Sequence, residues 1–253
     1  MNSRFRLAFA IVAGLALAGA LLRPLERRVW TAHRAAQPAL RSGAADAGPG
    51  VALALLGGFR AFAADLVWLQ AYAAWERRDT PATTRLLRLA TDVDPRPLSF
   101  WLNGARILAY DLPAWMSPDG APVQAAAREP VRQALRRLET AETFHPGEPL
   151  LWIERAGIEL HALHDPAAAA ESYRRAALLP GAPYFAARLH AELLRRLGRK
   201  REALAWLVAV HPTLPGDDAA AAADLVLARI GDIERELGLP PDERYRAPEP
   251  PGS

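Results

Sequence analysis

The chain of 253 residues contains no cysteine, which excludes disulfide bridges, thiol nucleophiles and thiolate-bound zinc. It contains a single lysine, Lys200, so nearly all of its base is arginine. The net charge is only +3. No basic run interleaved with aromatics occurs, as a nucleic-acid binder would show, and the arginine weighting reads as codon bias. No segment alternates at period two with β-branched residues, so no strand pattern is present. Also missing are G-x-S-x-G, a phosphate loop and a dinucleotide fingerprint. The bulk of the chain is apolar: 51% of residues, against 23% charged, enough to bury a core.

Residues 1–25 read "MNSRFRLAFAIVAGLALAGALLRPL". Arg4 and Arg6 precede an apolar run at 7–22. As a helix that run spans about 24 Å, and snorkelling Arg6 and Arg23 extend it toward the thickness of a bilayer core. The segment is expected to be a transmembrane anchor; Ala18-Gly19-Ala20 leaves a cleaved signal peptide as the alternative. The basic leader points to export of the domain behind the run, whereas Arg23, Arg27, Arg28 and Arg34 on its far side point to a cytoplasmic domain. The expected location is a bacterial inner membrane, single-pass, with the main domain in the periplasm and the cytoplasm as the alternative.

Residues 26–50 form a polar connector that becomes rich in Gly, Ala and Pro. From 51 to 238 the patterning is helical, cut by proline- and glycine-bearing breaks such as Asp94-Pro95-Arg96-Pro97, His145-Pro146-Gly147 and Leu197-Gly198-Arg199. Thr80-Pro81 and Asp165-Pro166 each read as an N-cap followed by proline. The tail at 239–253, "LPPDERYRAPEPPGS", is expected to be disordered.

The helices repeat. "RAGIELHALHDPAAAAESYRRAALLPG" (155–181) aligns with "LHAELLRRLGRKREALAWLVAVHPTLP" (189–215) at an offset of 34. Gly157 pairs with Ala191, Ala169 with Ala203, Tyr173 with Leu207 and Gly181 with Pro215. The small residues are expected where paired helices approach closely. Ala134, Leu138, Ala141 and Pro146, with Gly104 in 98–110, mark another repeat upstream. "GGFRAFAADLVWLQAYAAWERRD" (57–79), with Ala71, opens the first, which Leu87, Ala90 and Pro95 close. Four repeats thus cover 59–215, and 217–238 reads as a capping helix.

On these residues the chain resembles the tetratricopeptide-repeat family, and its layout is similar to bacterial membrane-anchored repeat proteins with a like "GFRAFAADLVWLQAYAAWE" block. The signature tryptophan near the start of the first helix is misplaced, and one repeat is interrupted. The resemblance implies an all-α helix–turn–helix array (an α-solenoid) behind one N-terminal transmembrane helix, with the first helix of each repeat lining a concave groove. On that reading the groove residues are Glu154, Arg155, Ile158 and His161 in the third repeat, and Phe185, Arg188, Glu192, Arg195 and Arg196 in the fourth, a mostly charged set. Four arginines against two glutamates favour an acidic or C-terminal peptide held by guanidinium forks. In the first two repeats the groove positions are aromatic: Asp65, Trp68, Leu69, Tyr72 and Trp75, then Trp101 and Leu102. That patch is either open to a partner or filled by "VALALLGG" (51–58).

"ELHALHD" (159–165) places His161 and His164 three apart beside Asp165, yet without a third ligand or a peptidase order, and no metal or cofactor is expected. Glu139 and Glu142, beside Arg136 and Arg137, read as an exposed charged face. Arg60 and Asp65 each cost about 3 kcal/mol near mid-bilayer, so 57–79 is not expected to span a membrane. The expected function is a non-enzymatic scaffold or assembly factor for an envelope complex such as a transporter or pilus system, binding a partner peptide or helix, with no nucleic acid and no small-molecule substrate. The alternative is a helical-repeat enzyme module acting on envelope polymers.

Overall fold

The computed structural model describes residues 60–116, 128–216 and 218–247. The connector, the apolar run at 7–22 and the segment 51–58 lie outside the described residues. Among the described residues the regular structure is helical, with no strand, and no helix is long and apolar enough to cross a membrane. The chain divides into two compact units after Phe100.

The first unit is a helical hairpin, α1 (Arg60–Glu76) packed on α2 (Thr80–Val93). The turn places Arg78 in the left-handed region at φ 55°, and the amides of Arg78 and Asp79 bond back to the carbonyls of Trp75 and Ala74. Asp79, one residue ahead of the expected Thr80, is the N-cap of α2: its carboxylate accepts from the Ala82 amide at 3.0 Å. Ala64, Ala71 and Ala74 are buried on α1, and Thr83, Leu87 and Ala90 on α2. Their small side chains let the two helices approach closely. Pro95 and Pro97 then end the hairpin, and Asp94, almost fully buried, accepts from the Arg96 guanidinium at 2.8 and 2.7 Å.

The second unit begins within α3 (Leu98–Arg106), which runs through a π-helical turn (Ile107–Asp111) into α4 (Leu112–Met116). Then come α5 (Arg128–Phe144), α6 (Pro149–His161), α7 (Pro166–Ala177), α8 (Phe185–Arg196), α9 (Lys200–Val210), a short 3₁₀ turn (His211–Thr213) and α10 (Ala223–Leu237). From α5 onward each α-helix packs on the next in sequence. Ala156, Ala169, Ala170, Ala176 and Ala186 join Tyr173 and Leu193 in one core cluster; Ala191, Ala203, Leu207, Val226 and Ile230 form the next. The α6–α7 and α8–α9 turns share a device. His164 and Gly198 are both left-handed, at φ 54° and 77°, and the next residue, Asp165 or Arg199, is the N-cap of the following helix. Asp165 caps α7 through the amides of Ala167 and Ala168.

Of the expectations about small residues and ends, one holds and two are amended. Gly104 does sit at a close approach: a Cβ there would lie 2.6 Å from Nε of Arg137 on α5. Gly157 does not, because its nearest neighbour is the Tyr110 hydroxyl at 3.6 Å and nothing from α7 is in reach. The tail is anchored at its start. Residues 239–247 are placed, the Tyr245 amide bonds to the buried Glu234 carboxylate at 2.6 Å, its hydroxyl lies 3.1 Å from His211, and its ring packs against the last core cluster.

Candidate functional site

α1 is apolar on nearly every side, so its sequence does not say which face turns inward. The fold decides it. Trp68 stacks on Phe100 with ring centroids 4.6 Å apart and planes 8° from parallel, so it belongs to the hairpin core. Trp75 is half-buried, and Tyr72 is exposed with its ring 5.0 Å from that of Trp75. Asp65 is exposed, while the Arg60 guanidinium bonds to the Val93 carbonyl at the end of α2. Trp101 lies in the second unit, only 4% exposed, stacked on Phe144 and covered by the Arg137 guanidinium 5.1 Å from its ring. Of the seven residues assigned to the aromatic patch, Asp65, Leu69 and Tyr72 are presented to solvent, Trp75 and Leu102 are half-buried, and Trp68 and Trp101 are packing residues. Phe62 and Leu66, which the pattern did not single out, are exposed on the same helix.

On α6, Glu154 is buried and its Oε2 accepts from Nε and Nη2 of Arg106 at 2.7 and 2.6 Å. The π-helical turn brings Tyr110 beside it. Burial, then the Glu154 charge, pushes the Tyr110 phenol up to about 12, and the same two causes raise Tyr173. Arg106 and Tyr110 lie four apart on one helical run, but their grouping with Glu154 and Tyr173 was not legible because those come from α6 and α7. Arg155 donates to Glu159 at 2.9 Å and to Glu139 at 3.2 Å, and Glu159 also accepts from Ser172 at 2.6 Å. The guanidinium groups of Arg155 and Arg175 each lie over the Trp152 ring, 5.5 and 4.7 Å from its centre. Ile158 is fully buried, and His161 is exposed.

The α8 residues form a second cluster with α9 and α10. Glu192 accepts from Arg195 at 3.0 Å and from Arg196 at 2.9 Å, with Arg229 of α10 at 3.7 Å. Hydrogen bonds from Arg195 lead the causes that hold the Glu192 carboxyl down at about 2. Arg195 also reaches Glu236 of α10 at 3.0 Å, and Lys200 of α9 reaches the same carboxylate at 3.1 Å. Arg188 donates to the carbonyl of Ala221 at 2.9 Å. Phe185 is 40% exposed and, with Gly181, Tyr184 and Ala220, bounds an open depression of about 470 Å³. The guanidinium forks assigned to a ligand therefore already hold internal acceptors. An incoming carboxylate would have to exchange with Glu192 or Glu236.

His190, on the other side of α8, is 5% exposed. Its Nδ1 lies 2.7 Å from the Ala170 carbonyl, which only accepts, so Nδ1 carries the hydrogen. Its ring meets Trp206 edge-on at 4.7 Å and lines a cleft of about 230 Å³ with Glu171, Arg174, Arg199 and Glu202. His164 and Asp165 stand at the α6–α7 turn, where Asp165 is occupied as a cap. Among the described residues no group of three or more His, Asp or Glu is placed to hold a metal ion.

Comparison with family models, with curated proteins and with solved structures gives no match to this chain.

Proposed function

We propose that this chain is a protein-interaction scaffold of the tetratricopeptide-like class, an assembly factor held at a bacterial inner membrane by the apolar run at 7–22 with its helical domain in the periplasm. The observation that carries the reading is the serial packing of α5 through α10, with like turns at His164 and Gly198 spaced 34 apart. Such serial packing leaves one face of each successive helix free for a ligand that runs along the array. On that reading the groove is lined by Arg155 and His161 of α6 and by Arg188, Glu192, Arg195 and Arg196 of α8, while Glu154 is buried beneath it on Arg106. Its ligand is an acidic or C-terminal peptide, which takes over arginine forks now closed on Glu192 and Glu236.

The test is affinity purification from solubilised membranes with mass spectrometry, comparing the native chain with an Arg188→Glu/Arg195→Glu variant whose helicity is checked by circular dichroism. Loss of the same co-purifying proteins from the folded variant is the expected result. Unchanged recovery would overturn the groove assignment.

A further inference from the structure

α1 buries one face in the hairpin and leaves a continuous apolar seam on another. Phe62 is 61% exposed, Leu66 44% and Leu69 63%. With Ala73 they follow one another at spacings of four, three and four residues, the spacing of a heptad seam. None of them belongs to the core cluster that Ala64 and Trp68 form with Ala90, Val93 and Phe100. Over its 17 residues α1 carries only three charges, Arg60, Asp65 and Glu76. Arg60 is turned to the Val93 carbonyl, so the charge beside the middle of the seam is Asp65. Asp65 is exposed and makes no ion pair among the described residues.

We infer that the Phe62–Leu66–Leu69 face of α1 docks a partner α-helix that carries a matching apolar seam and a basic residue opposite Asp65. The acid selects among occupants. The chain's own segment 51–58 has no basic residue to meet it, and the arginine-flanked run at 7–22 is committed to the bilayer on the scaffold reading. A second copy of α1 would set Gln70 or Tyr72 against it in heptad pairing, with no cation in either direction. A lipid surface would have to accept an unpaired carboxylate at the edge of the apolar face, which is unfavourable. A helix with Arg or Lys flanking its seam satisfies both features. The inference rests on the scaffold reading but uses a surface separate from the arginine-bearing helices, so either can fail alone.

The probe is a pair of synthetic helical peptides with the same leucine seam, one flanked by Lys and one by Glu, titrated by fluorescence anisotropy into the purified full chain. The Lys peptide is expected to bind about fivefold more tightly, the size of an exposed ion pair. Asp65→Lys, an exposed substitution that leaves the hairpin core untouched, is expected to invert that preference, and Leu66→Glu/Leu69→Glu to abolish binding of both. Absence of binding, or equal affinities that Asp65→Lys does not change, would overturn the proposal. So would an intrachain disulfide between Leu53→Cys and Leu69→Cys in the otherwise cysteine-free chain, or a dimer in sedimentation that Leu69→Glu dissolves. Loss of the peptide interaction with the arginine-dependent partners still recovered would sink the seam alone.

Discussion

Thr83 is fully buried on α2, and its hydroxyl has no hydrogen-bond partner among the described residues. An unsatisfied buried hydroxyl carries its desolvation cost with no return, so Thr83→Val is expected to raise stability by about 1 kcal/mol, read as a higher urea midpoint at constant slope. A lower midpoint would show that the hydroxyl is bonded. His190 sets a pH dependence. Burial holds its pKa below the ordinary 6.5, against the Ala170 hydrogen bond; Arg174 and Arg199 push the same way, and Glu171 opposes them. The unfolded chain therefore takes the proton first, and stability is lost as pH falls from 6.5 toward the lower folded value. A second loss begins below 4.5, where Glu171 and Glu192, each held down at about 2 by arginine hydrogen bonds, must protonate. Thermal melts from pH 8 to pH 3 are expected to fall in these two stages. His190→Gln should remove the first stage only; a melt unchanged between pH 7 and pH 5 in the native chain would show that His190 is not the group. Neither residue announced this in the sequence. Thr83 reads as an ordinary position in a helix, and His190 acquires its environment from α7 and α9.

Caps and breaks act at the level of the element, and there the sequence was most legible. Asp165-Pro166 pre-sets the start of α7 through a side-chain acceptor and a fixed φ, and Leu197-Gly198-Arg199 ends α8 because glycine takes the left-handed turn without strain. α1 was less legible, since a helix apolar all round lacks the periodicity that assigns a face, and the expected patch fell on a tryptophan that the hairpin uses itself. The α8–α10 ion pairs belong to two elements at once. Glu192→Gln is expected to free Arg196 and to loosen Arg195, which keeps its pair with Glu236, strengthening capture of an acidic partner while lowering the melting temperature slightly, as a partly exposed network contributes about 1 kcal/mol or less. Weaker capture by this variant would argue against an acidic ligand. α10 has a further hold in the Tyr245 side chain, whose ring packs against its core cluster and whose hydroxyl lies 3.1 Å from His211, beside an amide bond to Glu234 that any residue there would keep. Tyr245→Ala is expected to destabilise the end of the second unit by about 1–2 kcal/mol. Hydrogen exchange should then show lost protection in α10 with α6 and α7 little changed; uniform loss would mean that the unit unfolds as a single block.

At the scale of the whole molecule, two units share one construction rule, helix packed on the next helix in sequence through buried alanines. That rule could be read in advance because its causes are local. Proline and glycine punctuate the chain, capping residues start helices, and small residues recur at an interval of 34. Sequence alone was enough to establish that the domain is helical, where most helices begin and end, and that no thiol chemistry takes part. Which faces are spent was settled by tertiary packing. It assigned Trp101 and Trp68 to cores, closed the α8 arginines on Glu192 and Glu236, joined Glu154 to Arg106 across 48 residues, and turned Phe62, Leu66 and Leu69 outward. The difference has a simple cause, because helix formation depends on neighbours three and four residues away. The partner of a charge or an aromatic ring depends on which helix the fold lays beside it, and a helix apolar on every side fits against a neighbour in more than one rotation.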